Sequence, residues 1–329
     1  MKKRSGKRWI FFVILAVSSA AVLLALSASA KNDKVYHMVF IPKIIDENND
    51  FWVSVIEGAN MGAKEGNVEL EIEAGPSEED WQSQNELIEK AIAEKPDAII
   101  VAPCSYTEST EVLKKVKDAG ICLTLVDSVV NEDIQDLSVA TDNIAAGRQL
   151  GEFAAGYLTQ DSKVALIEHV KGSSTAMDRE TGVREGLGDK AGCIKETIYS
   201  GSSEERAYEL TKELIFKYPD LDMIIGLNEP SAVGAANAIK NLNLTSKINA
   251  VGFDSSLNEI RLMEDGIFSG IVIQKPYNMG YLGVQQTWMH LRGEKVEKNL
   301  ESGSELVTPE NLYSEENQKL LFPFTGNKN

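Results

Sequence analysis

Short apolar runs alternate along the chain with longer segments in which apolar residues recur at helical spacing. The segments with helical spacing predict helices within residues 50–65, 81–95, 107–118, 143–158, 203–217 and 230–241. The apolar runs predict strands at residues 36–41, 69–73, 98–102, 121–126, 163–168, 193–199, 222–227, 248–253 and 269–273. Strands and helices that alternate in this way predict parallel sheets with helices on both faces.

The predicted strands differ in how completely they are buried. Residues 98–102 are apolar throughout, as expected for a strand covered on both faces. Residues 69–73 alternate glutamate with leucine and isoleucine, which favours an edge position. One sheet of nine strands would be large for this chain, so two sheets of about four to six strands fit better. We therefore predict an α/β fold with two doubly wound lobes, and a change of lobe at residues 140–143.

The first thirty residues have a different pattern. Five basic residues within residues 2–8 precede an apolar run from Trp9 to Leu26, which is followed by Ala28-Ser29-Ala30. This layout is typical of an export signal that is cleaved after small residues. The run is also about as long as a membrane helix, which needs roughly 17–25 residues, so a retained anchor is an alternative. Both interpretations place residues 31–329 outside the cytoplasm.

Charge and cysteine content narrow the function classes. The formal net charge is −17, which disfavours binding to nucleic acid or to anionic lipid. Three cysteines in an exported chain cannot all pair with one another. Cys104 and Cys122 are predicted at opposite ends of neighbouring parallel strands, and Cys193 lies in the other lobe. We therefore expect no structural disulfide.

Polar and aromatic residues are concentrated where the predicted strands end. Ligands of open parallel sheets bind at the carboxyl ends of the strands. The residues at these ends are Asn48 to Trp52 after the first strand, Asp127 after the fourth, Asn228 and Glu229 after the seventh, Gly252 to Asp254 at the end of the eighth and Gln274 after the ninth, with Ser174, Thr175 and Arg179 in the segment after the fifth. Carboxylates, amides and a guanidinium can each bond neighbouring hydroxyl groups, and an aromatic ring can cover the apolar face of a sugar. The set therefore predicts a small polyol ligand.

Structural roles are the alternative for several of these residues. Asn49 and Asp142 are also suited to capping a helix N-terminus. Asp127 and Asp254 could be turn residues, and Trp52 could be a core aromatic. Arg179 could be a solvated helix charge. The ligand interpretation is favoured because so many of the candidates fall at the same edge of both sheets.

Several segments of the chain, in their order and spacing, resemble the ribose-binding branch of the type I periplasmic binding proteins. The ligand cores of lac-repressor-type regulators share the fold of this family. The resemblance covers roughly residues 35–300. It rests on residues 48–54, 140–143, 174–182, 228–229 and 251–254, together with Gln274. It implies that eight of these residues contact ligand: Asn49, Phe51, Trp52, Asp127, Arg179, Asn228, Asp254 and Gln274.

The resemblance also implies a division of the chain into lobes. Three hinge crossings are expected near residues 140–143, 268–274 and 297–305. The first lobe is then expected at residues 35–140 with 274–297, and the second at residues 141–273 with 298–329.

Three positions depart from the usual pattern of ribose binders. Ser128 stands where arginine usually follows the aspartate, which removes a charged donor from the first lobe. The run Gly201-Ser202-Ser203 replaces an aromatic residue, and Asp50 replaces a proline. The resemblance thus implies a sugar site, while a pentose, a hexose and a sugar-like signal all stay open.

Little in the sequence favours an enzyme or a regulator. The three histidines are His37, His169 and His290, and none is predicted beside a nucleophile. No glycine-rich turn follows a strand with a phosphate-binding pattern, and no zinc-type spacing is present, so no cofactor or metal is expected. A regulator would need a basic DNA-binding segment before residue 35, where the apolar run lies.

Two binding roles remain. The protein could deliver a sugar to the permease of an ABC transporter, or it could present its ligand-bound state to a sensor histidine kinase. A cleaved signal favours delivery. A retained anchor favours sensing, as does the lack of a lipid-attachment cysteine near residue 30.

Overall fold

The computed structural model describes residues 34–321, so the predicted export segment at residues 1–30 lies outside the described residues. No helix within residues 34–321 is long and apolar enough to cross a membrane. The strands are β1 (Tyr36–Ile41), β2 (Val68–Ile72), β3 (Ala98–Val101), β4 (Cys122–Val126), β5 (Leu137–Ala140), β6 (Val164–Glu168), β7 (Ile194–Tyr199), β8 (Met223–Gly226), β9 (Asn249–Phe253), β10 (Phe268–Ile273), β11 (Asn299–Glu301) and β12 (Glu305–Val307).

Of the ten α-helices within residues 34–321, six lie where the periodicity predicts them, and those at residues 174–187, 257–264, 276–291 and 315–321 are additional. The helices are α1 (Asp50–Glu65), α2 (Trp81–Glu94), α3 (Thr110–Asp118), α4 (Asn143–Ala155), α5 (Ser174–Leu187), α6 (Glu204–Lys217), α7 (Glu229–Asn241), α8 (Leu257–Glu264), α9 (Pro276–Leu291) and α10 (Glu315–Leu321). A 3₁₀ helix covers Gly188–Cys193.

The strands form two six-stranded sheets, which confirms the predicted two-lobed α/β fold. The first has the order β11-β5-β4-β3-β1-β2, and the second has the order β12-β10-β9-β8-β6-β7. Neighbouring strands are parallel, except that β12 runs antiparallel to β10. Strand β2 lies at the edge of the first sheet, as its alternating glutamates predict.

Each sheet has a core on both faces, because successive side chains of a strand point to opposite sides. In the first lobe, Met38 and Phe40 pack with α1 and α9. Val39 and Ile41 face the other way, against α2 and α3. The second lobe repeats this arrangement with α4 and α5 on one face and with α6, α7 and α8 on the other.

Helices α1 and α9 cross at unusually close range. A Cβ atom on Gly280 would overlap the carbonyl oxygen of Val55, and a Cβ on Gly58 would overlap that of Tyr277. Only glycine at these two positions allows such an approach. This contact fixes α9, which begins directly after the second crossing between the lobes, against the first lobe.

Within residues 34–321, the chain passes between the sheets three times. It leaves β5 for α4, returns from β10 to α9, and crosses finally between β11 and β12. The lobe division expected from the resemblance assigns residues 298–301 to the second lobe, whereas β11 pairs with β5 of the first sheet, with Asn299 opposite Ser138. The final crossing therefore lies between residues 301 and 305, because the backbone of β11 completes the edge of the first sheet.

A candidate ligand site between the lobes

A cavity lies between the lobes at the carboxyl ends of both sheets. It encloses about 320 Å³ of space, part of which is continuous with solvent. All eight residues predicted from the sequence line it: Asn49, Phe51, Trp52, Asp127, Arg179, Asn228, Asp254 and Gln274. Six further residues also line it: Lys43, Glu78, His169, Thr175, Glu229 and Pro230.

An ion pair between Lys43 and Asp127 forms the first-lobe side of the cavity. Lys43 Nζ lies 2.9 Å from Asp127 Oδ2, and the two side chains are 3% and 4% exposed. Burial lowers the pKa of Lys43, but the carboxylates of Asp127 and Glu78 outweigh this and leave the pKa raised. Burial raises the pKa of Asp127, but Lys43 and Arg179 outweigh this and leave that pKa lowered. Both groups are therefore charged at neutral pH.

Lys43 is not among the residues that the sequence predicts for the site. It follows β1 by two residues, where its charge suggests a solvated loop because lysine is rarely buried without a partner. Its partner, Asp127, is 84 residues away along the chain. Lys43 supplies the first-lobe cation that Ser128 was expected to remove, while Ser128 Oγ itself donates to Asp127 Oδ2 over 2.7 Å.

Arg179 is the main cation of the second lobe. Its Nε donates to Asn143 Oδ1 over 2.8 Å, and its Nη1 donates to the carbonyl oxygen of Leu227 over 2.7 Å. The guanidinium carbon lies 4.2 Å from the ring centroid of Phe253. Arg179 is only 3% exposed, so it is not a solvated helix charge. These contacts fix the guanidinium plane and leave the Nη2 group for other acceptors.

Asp254 and Gln274 occupy the hinge side of the cavity. The side-chain amide of Gln274 donates to Asp254 Oδ1, and the backbone N–H of Glu229 donates to Asp254 Oδ2 over 3.0 Å. Burial raises the pKa of Asp254, and the charge of Arg179 opposes that shift. Asp254 has a φ of 82° and Asp127 a φ of 64°, and the backbone bends at both aspartates directly after their strands. Both residues therefore bend the chain and also line the cavity.

Two aromatic residues follow the helix cap at Asn49. Asn49 Oδ1 accepts from the backbone N–H of Trp52 over 3.1 Å, so Asn49 caps α1 as well as lining the cavity. Trp52 is 2% exposed, and its Nε1 donates to Glu78 Oε1 over 2.9 Å. The ring of Phe51 lies edge-on to that of Trp52, with the centroids 5.1 Å apart. Burial raises the pKa of Glu78, while Lys43 opposes the shift.

His169 lies in the wall of the cavity and is held by hydroxyl groups. Its Nε2 is 2.8 Å from Thr175 Oγ1 and 3.2 Å from Ser173 Oγ. Burial, with the nearby charges of Arg179 and Lys43, holds the pKa of His169 well below its ordinary value. His169 is therefore neutral at physiological pH.

The two lobes are in direct contact around the cavity. Hydrogen bonds cross the cleft from Tyr106 N to Gly172 O at 2.9 Å and from Val129 N to Ser174 Oγ at 3.0 Å. Lys43 Nζ also reaches Thr175 Oγ1 of the opposite lobe at 3.4 Å. The structure is thus a closed form, and a bound ligand would touch both lobes.

The cavity is equipped for recognition by hydrogen bonds. Within residues 34–321, no group of three or more His, Cys, Asp or Glu side chains is arranged to hold a metal ion. The three cysteines are buried and free, and burial raises the pKa of the Cys104 thiol to about 12. A thiol with so high a pKa is a poor nucleophile. Charged donors and acceptors from both lobes instead face one small polar space.

Comparison with known proteins agrees with this architecture. The sequence profile described as "Periplasmic binding protein domain" matches residues 38–295. The chain is 26% identical over 322 residues to the D-ribose/D-allose-binding protein of Pseudomonas aeruginosa, covering 94% of this chain and 99% of that protein.

Solved structures give the same result. A sugar transporter from Clostridium phytofermentans is 45% identical, with a TM-score of 0.79, and the match covers 83% of this chain and 99% of that one. A solute-binding protein of an ABC transporter from Agrobacterium vitis, with bound D-fucose, is 28% identical, with a TM-score of 0.80. That match covers 87% of this chain and 99% of the other.

Proposed function

Because this chain belongs to the type I periplasmic binding protein family, on its ribose-binding branch, we propose that it binds a small sugar between its lobes and delivers it to the permease of an ABC transporter. Membership of this family implies an extracytoplasmic location and a binding role without catalysis.

One observation carries the sugar assignment. Lys43 with Asp127 on one lobe, and Arg179 with Asp254 on the other, present charged hydrogen-bonding groups to a single buried cavity. Charge-assisted hydrogen bonds are roughly twice as strong as neutral ones, and carboxylates can each accept from two adjacent hydroxyl groups. A polyol is the ligand that uses donors and acceptors on all sides of such a space.

We propose that all eight residues predicted from the sequence contact the sugar, with Lys43 as a ninth. Phe51 and Trp52 provide aromatic surface for the C–H face of the ring. Ser202 stands where the family pattern has an aromatic residue, and it accepts a hydrogen bond from Asn228 Nδ2 over 3.2 Å. The departure from the ribose-binder pattern therefore lies next to Asn228, on the second-lobe side of the cavity.

Closure links sugar binding to a membrane partner. A ligand that touches both lobes stabilises the closed form by its difference in affinity for the closed and open forms. Relatives with the same architecture are named as transport proteins, including the sugar transporter from Clostridium phytofermentans. We therefore propose that the closed form is the one that the permease recognises.

A thermal-shift screen of the full chain, followed by calorimetry, tests the sugar assignment. The panel contains D-ribose, D-allose, D-fucose and D-arabinose, with amino acids and nucleosides as competing classes. A sugar at one hundred times its Kd should stabilise the protein by about 2.7 kcal/mol. Binding of a nucleoside or an amino acid, with no response to any sugar, would contradict the assignment.

A second experiment tests delivery against sensing. Deletion of the gene should abolish uptake of the radiolabelled sugar that the screen identifies, and a plasmid copy should restore it. An Arg179→Ala copy, made to the same level, should not restore uptake. Normal uptake in the deletion strain, with loss of sugar-induced transcription, would favour the sensor role. In that role the apolar segment Trp9–Leu26 would anchor the protein in the membrane.

A further inference from the structure

One short segment of the second lobe accepts hydrogen bonds from two separate loops of the first lobe. It comprises residues 172–175, which lead from β6 into the first turn of α5, and we call it the closure segment. The carbonyl oxygen of Gly172 accepts from the backbone N–H of Tyr106 over 2.9 Å, and Ser174 Oγ accepts from the backbone N–H of Val129 over 3.0 Å. Tyr106 follows β3 and Val129 follows β4, so the donors come from neighbouring strand ends of the first sheet.

The two first-lobe loops that carry these donors are joined to each other. The carbonyl oxygen of Tyr106 accepts from the backbone N–H of Asn131 over 2.9 Å. Thr110 Oγ1 donates to Asn131 Oδ1 over 2.6 Å. Asn131 lies two residues after Val129, so these bonds hold both donors in one arrangement. They lie entirely within the first lobe and do not depend on closure.

The closure segment is also held within its own lobe, with the exception of one hydroxyl group. Ser173 Oγ accepts from the backbone N–H of Ala176 over 3.3 Å and lies 3.2 Å from His169 Nε2. Gly172 has a φ of 85°, which a residue with a side chain adopts only with strain. Ser174 differs, because among residues 34–321 its hydroxyl bonds to the first lobe and to nothing in the second. Ser174 is 3% exposed, so this cross-lobe bond is shielded from water in the closed form.

Ser174 and the cavity residue Arg179 belong to the same helix. Ser174 is the first residue of α5, and Arg179 lies in the second turn, about 7.5 Å further along the axis. Ser174 itself is not among the described residues that line the cavity. Because α5 moves as one unit over this distance, a ligand that draws Arg179 towards the first lobe also brings Ser174 to Val129.

We propose that the closure segment, through Ser174, stabilises the closed form without touching the sugar, and so raises the affinity for every sugar by the same factor. This inference rests on the proposed function, because closure is measured through sugar binding. Ser174 is a positioning residue. In the open form, water bonds to the Ser174 hydroxyl and to the N–H of Val129, so their direct bond favours the closed form alone.

Ser174→Ala tests this role in the full chain. Alanine removes the acceptor for Val129 N–H and keeps α5, because alanine favours helix and Ser173 still caps the helix. The net contribution of one hydrogen bond corresponds to about a two- to tenfold change in an equilibrium constant. We expect the Kd measured by calorimetry with D-ribose, D-allose and D-fucose to rise by that factor, equally for each sugar that binds. The dissociation rate in stopped-flow fluorescence should rise with it, because the lobes close after the sugar has arrived.

Ser162→Ala is the matched control for the loss of a hydroxyl acceptor. Ser162 Oγ also accepts from a backbone N–H over 3.0 Å, but its donor is Thr159 of the same lobe. Ser162→Ala should therefore lower the melting temperature of the sugar-free protein and leave the affinity unchanged. Ser174→Ala should do the reverse, because its bond forms only on closure. These opposite effects separate a closure contact from a merely structural hydroxyl.

Three results with a sugar that binds would overturn the closure role and leave the sugar function intact. The first is an unchanged Kd and dissociation rate in Ser174→Ala. The second is a fall in the melting temperature of the sugar-free protein as large as that in Ser162→Ala. The third is a change in Kd that differs from one sugar to the next, because it would indicate direct contact between Ser174 and the ligand.

If none of the three sugars binds, the proposed function fails, and the distance between the lobes then decides the inference. Spin labels are placed at the exposed positions Glu47→Cys on the first lobe and Glu205→Cys on the second, since the three native cysteines are buried. Double electron–electron resonance of the sugar-free protein gives the populations of closed and open forms. A closed population that shrinks in Ser174→Ala supports the closure segment, and the same distance distribution in both proteins refutes it.

Discussion

Lys43 Nζ lies 2.9 Å from Asp127 Oδ2 with both side chains almost completely buried, so each charge depends on the other. Removal of one partner from a buried ion pair leaves an uncompensated charge and typically costs about 3–5 kcal/mol. This pair sits on the first-lobe wall of the cavity, and Lys43 also reaches across to Thr175. Stability and sugar binding should therefore both depend on the pair.

We expect Lys43→Met and Asp127→Ala each to lower the free energy of unfolding by several kcal/mol, as measured by urea denaturation. The double variant should lose less than the sum of the two, because no lone charge remains. Asp127→Ala should also weaken sugar binding at least tenfold in calorimetry. Lys114→Met is the control, since the Lys114–Glu132 pair is solvent-accessible and should contribute little to stability. Unchanged affinity in Asp127→Ala would remove Asp127 from the site.

Arg179 tests whether the second lobe recognises its ligand through a planar donor group. Arg179→Lys keeps the charge but cannot maintain the bonds to Asn143 and Leu227 while presenting a free Nη2. We expect sugar affinity to fall at least tenfold in this variant, and further in Arg179→Ala. Arg148→Lys serves as the control. Arg148 lies on α4, is 44% exposed and pairs with Glu185 of α5 at the protein surface. Equal affinities for Arg179→Lys and the native protein would show that charge alone suffices.

The sequence predicts the lobes and the cavity better than it predicts the edges of the sheets. Strands such as β3 are continuous apolar runs, and such a run predicts a strand that is buried on both faces. Strands β11 and β12 have only three residues each, too few to show a period. They are strands because they pair with β5 and β10, and that pairing depends on how the hinge brings distant segments together.

The same distinction applies to the cavity. Candidates such as Asp254 could be found because they stand directly at the ends of strong strands. Lys43 and Glu78 lie in loops that look solvated, and their burial depends on each other's charge and on Asp127. The charges of these residues offset one another only in the folded protein, because the residues lie far apart along the chain. The sequence alone therefore does not show that they are buried together.

Trp52 and Glu78 provide a test of how the aromatic wall is held. Trp52→Phe removes the indole N–H that lies 2.9 Å from Glu78 Oε1 and leaves a buried carboxylate oxygen without that donor. We expect the free energy of unfolding to fall by about 1–3 kcal/mol beyond the cost of the lost volume. Trp288→Phe is the matched control, because Trp288 is half-buried and stacks on Arg292, with the guanidinium carbon 4.5 Å from its ring centroid. Equal losses in the two variants would show that the Trp52–Glu78 bond adds nothing to stability.

Glu168 predicts a dependence of stability on pH that is unrelated to sugar binding. It ends β6 and is 1% exposed, and burial raises its pKa to about 9, with the hydrogen bond to Glu180 and the charge of Glu180 adding to the shift. The folded protein therefore keeps a proton on Glu168 that the unfolded chain releases near its ordinary pKa of about 4.3. Because the unfolded state binds fewer protons at this site, the contribution of Glu168 to the free energy of unfolding falls as the pH rises from about 5 to about 9, by at most about 1.4 kcal/mol per pH unit.

Glu168→Gln should remove this contribution, since a side-chain amide can donate to Glu180 as the protonated carboxyl does. Urea denaturation at pH 6, 7, 8 and 9 should show a shallower decline for the variant than for the native protein, with the difference largest at pH 9. Glu185→Gln, at an exposed carboxylate of α5, should leave the slope unchanged. A parallel decline in all three proteins would mean that Glu168 is already ionised in the fold, and that its burial is compensated by water rather than by a proton.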